Sequence, residues 1–131
     1  MSPELAQRSH ASQCDKNREV WEGKPLLRAI YRDFYEQIAA RIAHSVPGKI
    51  VEVGAGFGAL RDVIPECLTT DLTKSLGVDK EENIYYLSFP NASISTLVLF
   101  DVFHHLRFPA KALAEARRVL TTGGRLILFE P

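Results

Sequence analysis

Ile50-Val51-Glu52-Val53-Gly54-Ala55-Gly56-Phe57-Gly58 is the stretch on which the fold turns. The β-branched residues at 50, 51 and 53 read as a short buried strand, Lys49 to Val53, that runs directly into three alternating glycines. Glycine enters backbone conformations closed to other residues and lets a ligand lie directly on the main chain. A strand entering such a turn predicts a bound small molecule at the strand's C-terminal end.

Working outward, Val46-Pro47-Gly48 separates this strand from an amphipathic helix. That helix begins near Pro25, and Leu27, Ile30, Tyr31, Phe34, Ile38 and Ile42 recur at steps of three and four. Beyond the turn, Ala59 to Ile64 forms a brief helix closed by Pro65, and Cys67 to Thr70 forms a second strand ending at Asp71. Residues 72–86 make a poor helix but leave room for a short third strand. Ser95 to Phe100 is a compact apolar run ending at Asp101, the mark of a buried parallel strand. Pro109 opens a further helix with Leu113, Ala116, Val119 and Leu120 on its buried face. Gly123-Gly124 ends that helix, and Arg125 to Phe129 is the last strand. Strands alternating with helices imply a doubly wound α/β sandwich, a Rossmann-like and mostly parallel sheet with helices on both faces.

Asp71 lies 19 positions after Glu52, where an acidic side chain accepts both hydroxyl hydrogen bonds of a ribose. The ligand therefore reads as a nucleoside. Gly54-Ala55-Gly56-Phe57-Gly58-Ala59 also satisfies G-x-G-x-x-G/A, which keeps an NAD-dependent oxidoreductase open as an alternative, though no catalytic Tyr-x-x-x-Lys supports it.

The 131 residues, 46% hydrophobic and 24% charged, suit one globular domain with a real core. Residues 1–22 are polar and weakly periodic and read as a partly ordered arm, which leaves 23–131 as the domain. Lys plus Arg and Asp plus Glu stand at 16 each, so no global field favours nucleic acid or an anionic membrane. Cys14 and Cys67 have no metal-type spacing and are expected to be free thiols. No run approaches the about 20 apolar residues of a membrane span. The start has no signal-peptide core, and a cytoplasmic protein is expected.

Three further segments settle the family. Leu87-Ser88-Phe89-Pro90-Asn91-Ala92-Ser93, Asp101-Val102-Phe103-His104-His105-Leu106 and Glu115-Ala116-Arg117-Arg118-Val119-Leu120-Thr121-Thr122-Gly123-Gly124-Arg125-Leu126 resemble, in order, the LPFxDxS, DVxHHL and EAxRVLKPGGRL segments of the class I S-adenosylmethionine-dependent methyltransferases of type 11. The resemblance covers about residues 24–131. It implies methyl transfer from S-adenosylmethionine, leaving S-adenosylhomocysteine, to a small-molecule or lipid-like acceptor. A catalytically silent binding or interaction module is the other reading.

Carried over by position, the resemblance implies that Glu52 holds the methionine amino group and that Gly54, Ala55, Gly56 and Gly58 lie against the methionine and ribose. Asp71 binds the ribose and Leu72 packs on the adenine. Asn83-Ile84 stands where the family has Asp-Ala beside the adenine amine, and Asn keeps a carbonyl acceptor for it. Asp101 and Val102 face the sulfonium and the acceptor. His105 is the candidate to position the acceptor or take its proton, since an imidazole exchanges protons near neutral pH. The segment Glu22 to Tyr31 resembles the family's lead-in helix, so that Lys24, Arg28 and Tyr31 are placed to reach the methionine carboxylate or the acceptor. No metal is expected, because adjacent histidines diverge on most backbones and no Cys, Asp or Glu stands at a usual ligand offset from them.

Departures from the family pattern are Ser95 before the fourth strand, Thr121-Thr122 for Lys-Pro, and a short 72–86 segment. The sequence also stops after the fifth strand of a seven-strand sheet, so it reads as truncated there. An apolar strand at 125–129 is then an edge, expected to pair with a second copy in a homodimer or to be shielded by the N-terminal arm.

Overall fold

The computed structural model describes residues 3–131, with the side chains of residues 3, 5–11, 14 and 15 outside the description. The expectation for the Cys14 thiol falls among those side chains; Cys67 is a free, buried thiol. The chain runs α1 (Pro3–Glu22), α2 (Pro25–Ala39), β1 (Lys49–Val53), β2 (Leu68–Asp71), β3 (Lys80–Glu81), β4 (Ile94–Phe100), α3 (Pro109–Val119) and β5 (Leu120–Phe129). Single 3-10 turns occupy Ala59–Asp62 and Phe103–His105. The five strands form one sheet in the order β3-β2-β1-β4-β5, and every pairing is parallel.

Alternation along β4 shows why both faces are covered. Leu97 and Leu99 point into a core with Ala112, Ala116 and Val119 of α3, while Val98 points the other way, among Tyr35 and Ile38 of α2 with Leu60 and Ile64. Leu97 and Val98 are both fully buried, as a central parallel strand between two helical layers requires. Removing two such side chains from water stabilises the fold by roughly 1.5–3 kcal/mol each.

Three local differences from the sequence reading have physical causes. Residues 3–22 form a full helix, not a partly ordered arm; its C-terminal part is fixed from outside, by Arg18 and Trp21 reaching onto α2 and the loops after β1 and β2. Helix α2 ends at Ala39, and Ile42 is buried in the link to β1. Helix α3 ends at Val119, four residues before the glycines expected to stop it, and the chain passes directly into β5. There the register shifts between Ile94↔Leu120 and Thr96↔Arg125, so Gly123 and Gly124 sit inside an irregularity of the β4–β5 pairing. Strand β5 has β4 on one side and no second partner among the described residues. No helix among the described residues is long and apolar enough to cross a membrane.

Candidate functional site

The C-terminal ends of β1 and β4 open on a cleft of about 410 Å³, roofed by α1 and α2. In an open parallel sheet this is the crevice where ligands bind. The turn after β1 forms its floor. Gly54 and Ala55 donate their N–H groups to the Thr70 carbonyl, both at 2.9 Å, and the Thr70 hydroxyl donates to the Glu52 carbonyl at 2.8 Å, so β1 and β2 are tied together where they end. Gly56 takes a φ of +61°, and a Cβ there would meet nothing within 4 Å, whereas a Cβ on Gly54 would lie 2.5 Å from Val102 Cγ2. The main chain at Gly56 is thus open to a ligand, while Gly54 is packed under Val102.

Two acidic side chains flank the turn. Glu52 lines the cleft, is only 4% exposed, and its Oε1 has no hydrogen-bond partner. Burial first, and the charge of Asp71 second, push its carboxyl pKa up to about 8. A buried, unpartnered acceptor in a cleft wall is a vacant binding position, since such groups ordinarily find a partner. Asp71 is buried at the end of β2, with Oδ2 accepting from Gly56 N–H at 2.9 Å and Oδ1 from Leu72 N–H at 2.8 Å.

Rings form the far wall. Trp21 of α1 meets Tyr31 of α2 and Phe57 of the turn with centroids 5.4 Å apart in each case, and Tyr31 continues to Phe100 at 5.7 Å. Arg18 holds α1 in place by donating to the Phe57 carbonyl at 2.6 Å and the Leu76 carbonyl at 2.7 Å. Tyr35 also lines the cleft, its phenol pKa raised by burial and then by Glu52.

At the rim, Asp101 follows β4 with a φ of +58°, rare outside glycine, and donates its N–H to the Phe129 carbonyl at 2.7 Å. Asp101 and Val102 both line the cleft. His104 Nδ1 lies 2.5 Å from Glu130 Oε2 and 3.6 Å from Asp101 Oδ1, and Glu130 Oε1 accepts from Phe103 N–H at 2.8 Å. The donor atoms of Asp101, His104 and Glu130 fall within 4.8 Å of one another, a convergence of carboxylates on a histidine that offsets along the chain did not show. The Nδ1 contact is that of an imidazole oriented by a carboxylate, with Nε2 left as its other functional atom.

The fold therefore brings Glu52, Gly54, Ala55, Gly56, Asp101 and Val102 together in the cleft wall, with Asp71 behind Gly56. It sets other expected residues apart. Gly58 packs its Cα against the Gly77 carbonyl, and Leu72 is exposed. Asn83 turns its Oδ1 onto Tyr85 N–H at 2.9 Å, and Ile84 is buried in the core on the α3 face. His105 is exposed, with its ring 3.9 Å from that of His104 and outside the cleft lining. Of the lead-in residues Tyr31 lines the cleft, while Arg28 donates to the Glu22 carbonyl at 2.6 Å and Lys24 is exposed. Sequence reasoning passed over Trp21, Tyr35 and the His104–Glu130 pair. Trp21 is the chain's one tryptophan, and that was the available signal.

The family model for the methyltransferase domain of type 11 matches residues 51–128. The chain belongs to this methyltransferase family. A probable S-adenosylmethionine-dependent methyltransferase of Mycolicibacterium smegmatis is 28% identical over 116 residues, covering 74% of this chain and 44% of that protein. Among solved structures, an S-adenosylmethionine-dependent methyltransferase of Methanococcus maripaludis matches with a TM-score of 0.68 at 15% identity, over 90% of this chain and 62% of that one. One from Thermotoga maritima, described as a possible histamine N-methyltransferase, matches with a TM-score of 0.68 at 18% identity, over 92% and 59%. The methyltransferase domain thus spans about half the length of the relatives it matches. S-adenosylmethionine is the group that these relatives are named for, and the residues of the cleft fit it: an orphaned acidic oxygen, an open glycine backbone, and a carboxylate at the end of β2.

Proposed function

We infer that this domain binds S-adenosylmethionine across the β1 turn and transfers its methyl group to a small-molecule or lipid-like acceptor entering beside Asp101. The observation that carries the reading is Glu52, a 4% exposed side chain with an unpartnered oxygen in the wall of a 410 Å³ cleft. Bound, the cofactor supplies an electrophilic methyl on a positively charged sulfur. Glu52 holds the amino group, Gly54 to Gly56 carry the methionine and ribose, and Asp71 accepts from the ribose hydroxyls. Exposed Leu72 packs on the adenine, while Asn83, engaged with Tyr85, and Ile84, buried in the core, stand back from it. Asp101 and Val102 stand where the acceptor meets the methyl.

The chain's own contribution is alignment and exclusion of water by the wall of Trp21, Tyr31 and Phe100, with the rest of the barrier met by in-line geometry. His104, oriented by Glu130, is the proton acceptor at the rim, and His105 enters through its ring contact with His104. The apolar rings and the absence of any Lys, Arg or His among the described cleft residues favour an uncharged or lipid-like body over a phosphorylated one.

Calorimetric titration with S-adenosylhomocysteine and with NAD tests the reading. Binding of S-adenosylhomocysteine alone is expected, and binding of NAD alone overturns it. A chain that binds S-adenosylhomocysteine yet transfers no methyl to any acceptor is the silent module instead. Pairing of strand 125–129 with a second copy is part of the same proposal, read by sedimentation of the wild type against Ile127→Lys.

A further inference from the structure

Beyond Glu52 and the glycine turn, which the cofactor reading uses, the rim of the cleft carries a cluster of acidic groups at Asp101 and Glu130. Trp21, Tyr31 and Phe100 line its wall there. No Lys, Arg or His is among the described residues that line it, while Asp101 is. Glu130 adds a further carboxylate beside Asp101, bridged to it through His104. The guanidinium groups of Arg18, Arg28 and Arg61 line a neighbouring cleft that shares Trp21, Phe57 and Ala59 with this one, and each donates to an acceptor of the protein itself. An anionic acceptor would find repulsion at this rim and no partner. A cation would find the carboxylate oxygens of Asp101 and Glu130, which attract it, beside an aromatic wall that suits an apolar body.

We propose that the methyl acceptor is an amine on a flat apolar body, with its nitrogen held by Asp101 at the rim and its body against Trp21, Tyr31 and Phe100. The proposal rests on the reading of the cleft as the S-adenosylmethionine site and names the acceptor class of that site. Asp101 is the fixed member of the rim, because its N–H is tied to the Phe129 carbonyl of β5 at 2.7 Å. Before transfer the ammonium gives one proton to Nε2 of the His104 imidazole, whose Nδ1 is held by Glu130 at 2.5 Å. The freed lone pair then forms the N–C bond as the C–S bond breaks and its electrons return to sulfur. The proton ends on His104, the methyl on nitrogen, and the sulfur becomes a neutral thioether.

The test uses the full chain, first titrated with S-adenosylhomocysteine and then, loaded with it, with benzylamine, benzyl alcohol and benzoate near neutral pH. Benzylamine is expected to bind at least tenfold more tightly than benzoate, with benzyl alcohol between them. Asp101→Asn is expected to reduce the amine-to-alcohol preference at least fivefold, and Trp21→Ala to weaken all three probes together. Benzoate binding as tightly as benzylamine overturns the proposal, as does Asp101→Asn keeping the preference or all three probes failing to bind the loaded chain. Failure of S-adenosylhomocysteine in the first titration is a separate result, which removes the cofactor reading and this proposal with it.

Discussion

Asp71 at the end of β2 accepts a hydrogen bond from the Gly56 N–H at 2.9 Å, so the side chain proposed to hold a ribose also holds the turn proposed to carry the ligand. Asp71→Ala therefore acts twice. It leaves the Gly56 and Leu72 N–H groups without their acceptor and removes the ligand's partner. Each loss of a bond to a charged group is worth about 1.5–3 kcal/mol. A lowered melting temperature together with at least a tenfold weaker S-adenosylhomocysteine affinity is expected. Wild-type affinity in a folded variant would remove Asp71 from the ligand's surroundings.

Glu52 predicts a pH dependence. Its carboxyl pKa is raised from 4.5 to about 8 by burial and then by Asp71, so between these values the folded chain holds a proton that the unfolded chain has released. Stability then falls as pH rises from about 4.5 to about 8 and levels off above, an effect on the order of a few kcal/mol. Glu52→Gln removes this slope. Denaturant titrations of the two proteins should agree below pH 4.5 and diverge above it in favour of the variant; parallel curves would mean that Glu52 is not buried as described.

The same carboxyl makes ligand binding sensitive to protons. An ammonium placed on Glu52 draws it into the charged form, so S-adenosylhomocysteine binding near pH 7 should release close to one proton, read from calorimetry in buffers of different ionisation enthalpy. Glu52→Gln should abolish the release, and a release that persists in the variant would assign it elsewhere.

Two glycines of the turn should behave differently. Gly56 has open space where a Cβ would stand, so Gly56→Ala carries only the left-handed backbone penalty of about 1–2 kcal/mol, stays folded and obstructs the ligand. A Cβ on Gly58 would sit 2.2 Å from the Gly77 carbonyl oxygen, so Gly58→Ala must displace backbone and should lower the melting temperature far more. Equal melting temperatures for the two variants would contradict this packing.

Trp21 reports on the roof of the cleft. Arg18→Ala removes two bonds to backbone carbonyls and the cation over the Phe57 ring, and should loosen α1 from the turn. Tryptophan emission should shift to the red with increased acrylamide quenching, because Trp21 is the only emitter of its kind. Unchanged emission would show that the ring contacts of Trp21 hold the helix unaided.

These expectations show where the sequence was readable. Runs such as Ile50 to Val53 and Ser95 to Phe100 declare themselves because a strand buried on both faces is mostly apolar, and the glycine turn and Asp101 are then found at their ends. The β3 pair Lys80–Glu81 is too short and too exposed to carry such a pattern. Helix α1 escaped notice because its polar sequence provides little apolar periodicity and its fixed end depends on partners 39 and 58 residues away. The choice of His105 over His104 failed to anticipate Glu130 for the same reason. Their 26-residue separation becomes 2.5 Å only once β4 and β5 lie side by side.

The contact between the loops after β1 and β2 has a consequence for how such a domain can vary. A Cβ on Gly58 would strike the Gly77 carbonyl oxygen, and one on Gly77 would strike the Phe57 carbonyl oxygen at 2.2 Å and the Arg18 guanidinium at 2.6 Å. Neither glycine can be exchanged while the other loop stays put, and relief requires the helix bearing Arg18 to shift too. Three distant segments are thereby bound into one heritable unit, replaceable together but not piecemeal. Anyone transplanting the β1 turn into another scaffold, or lengthening the 72–79 connection, has to carry all three along.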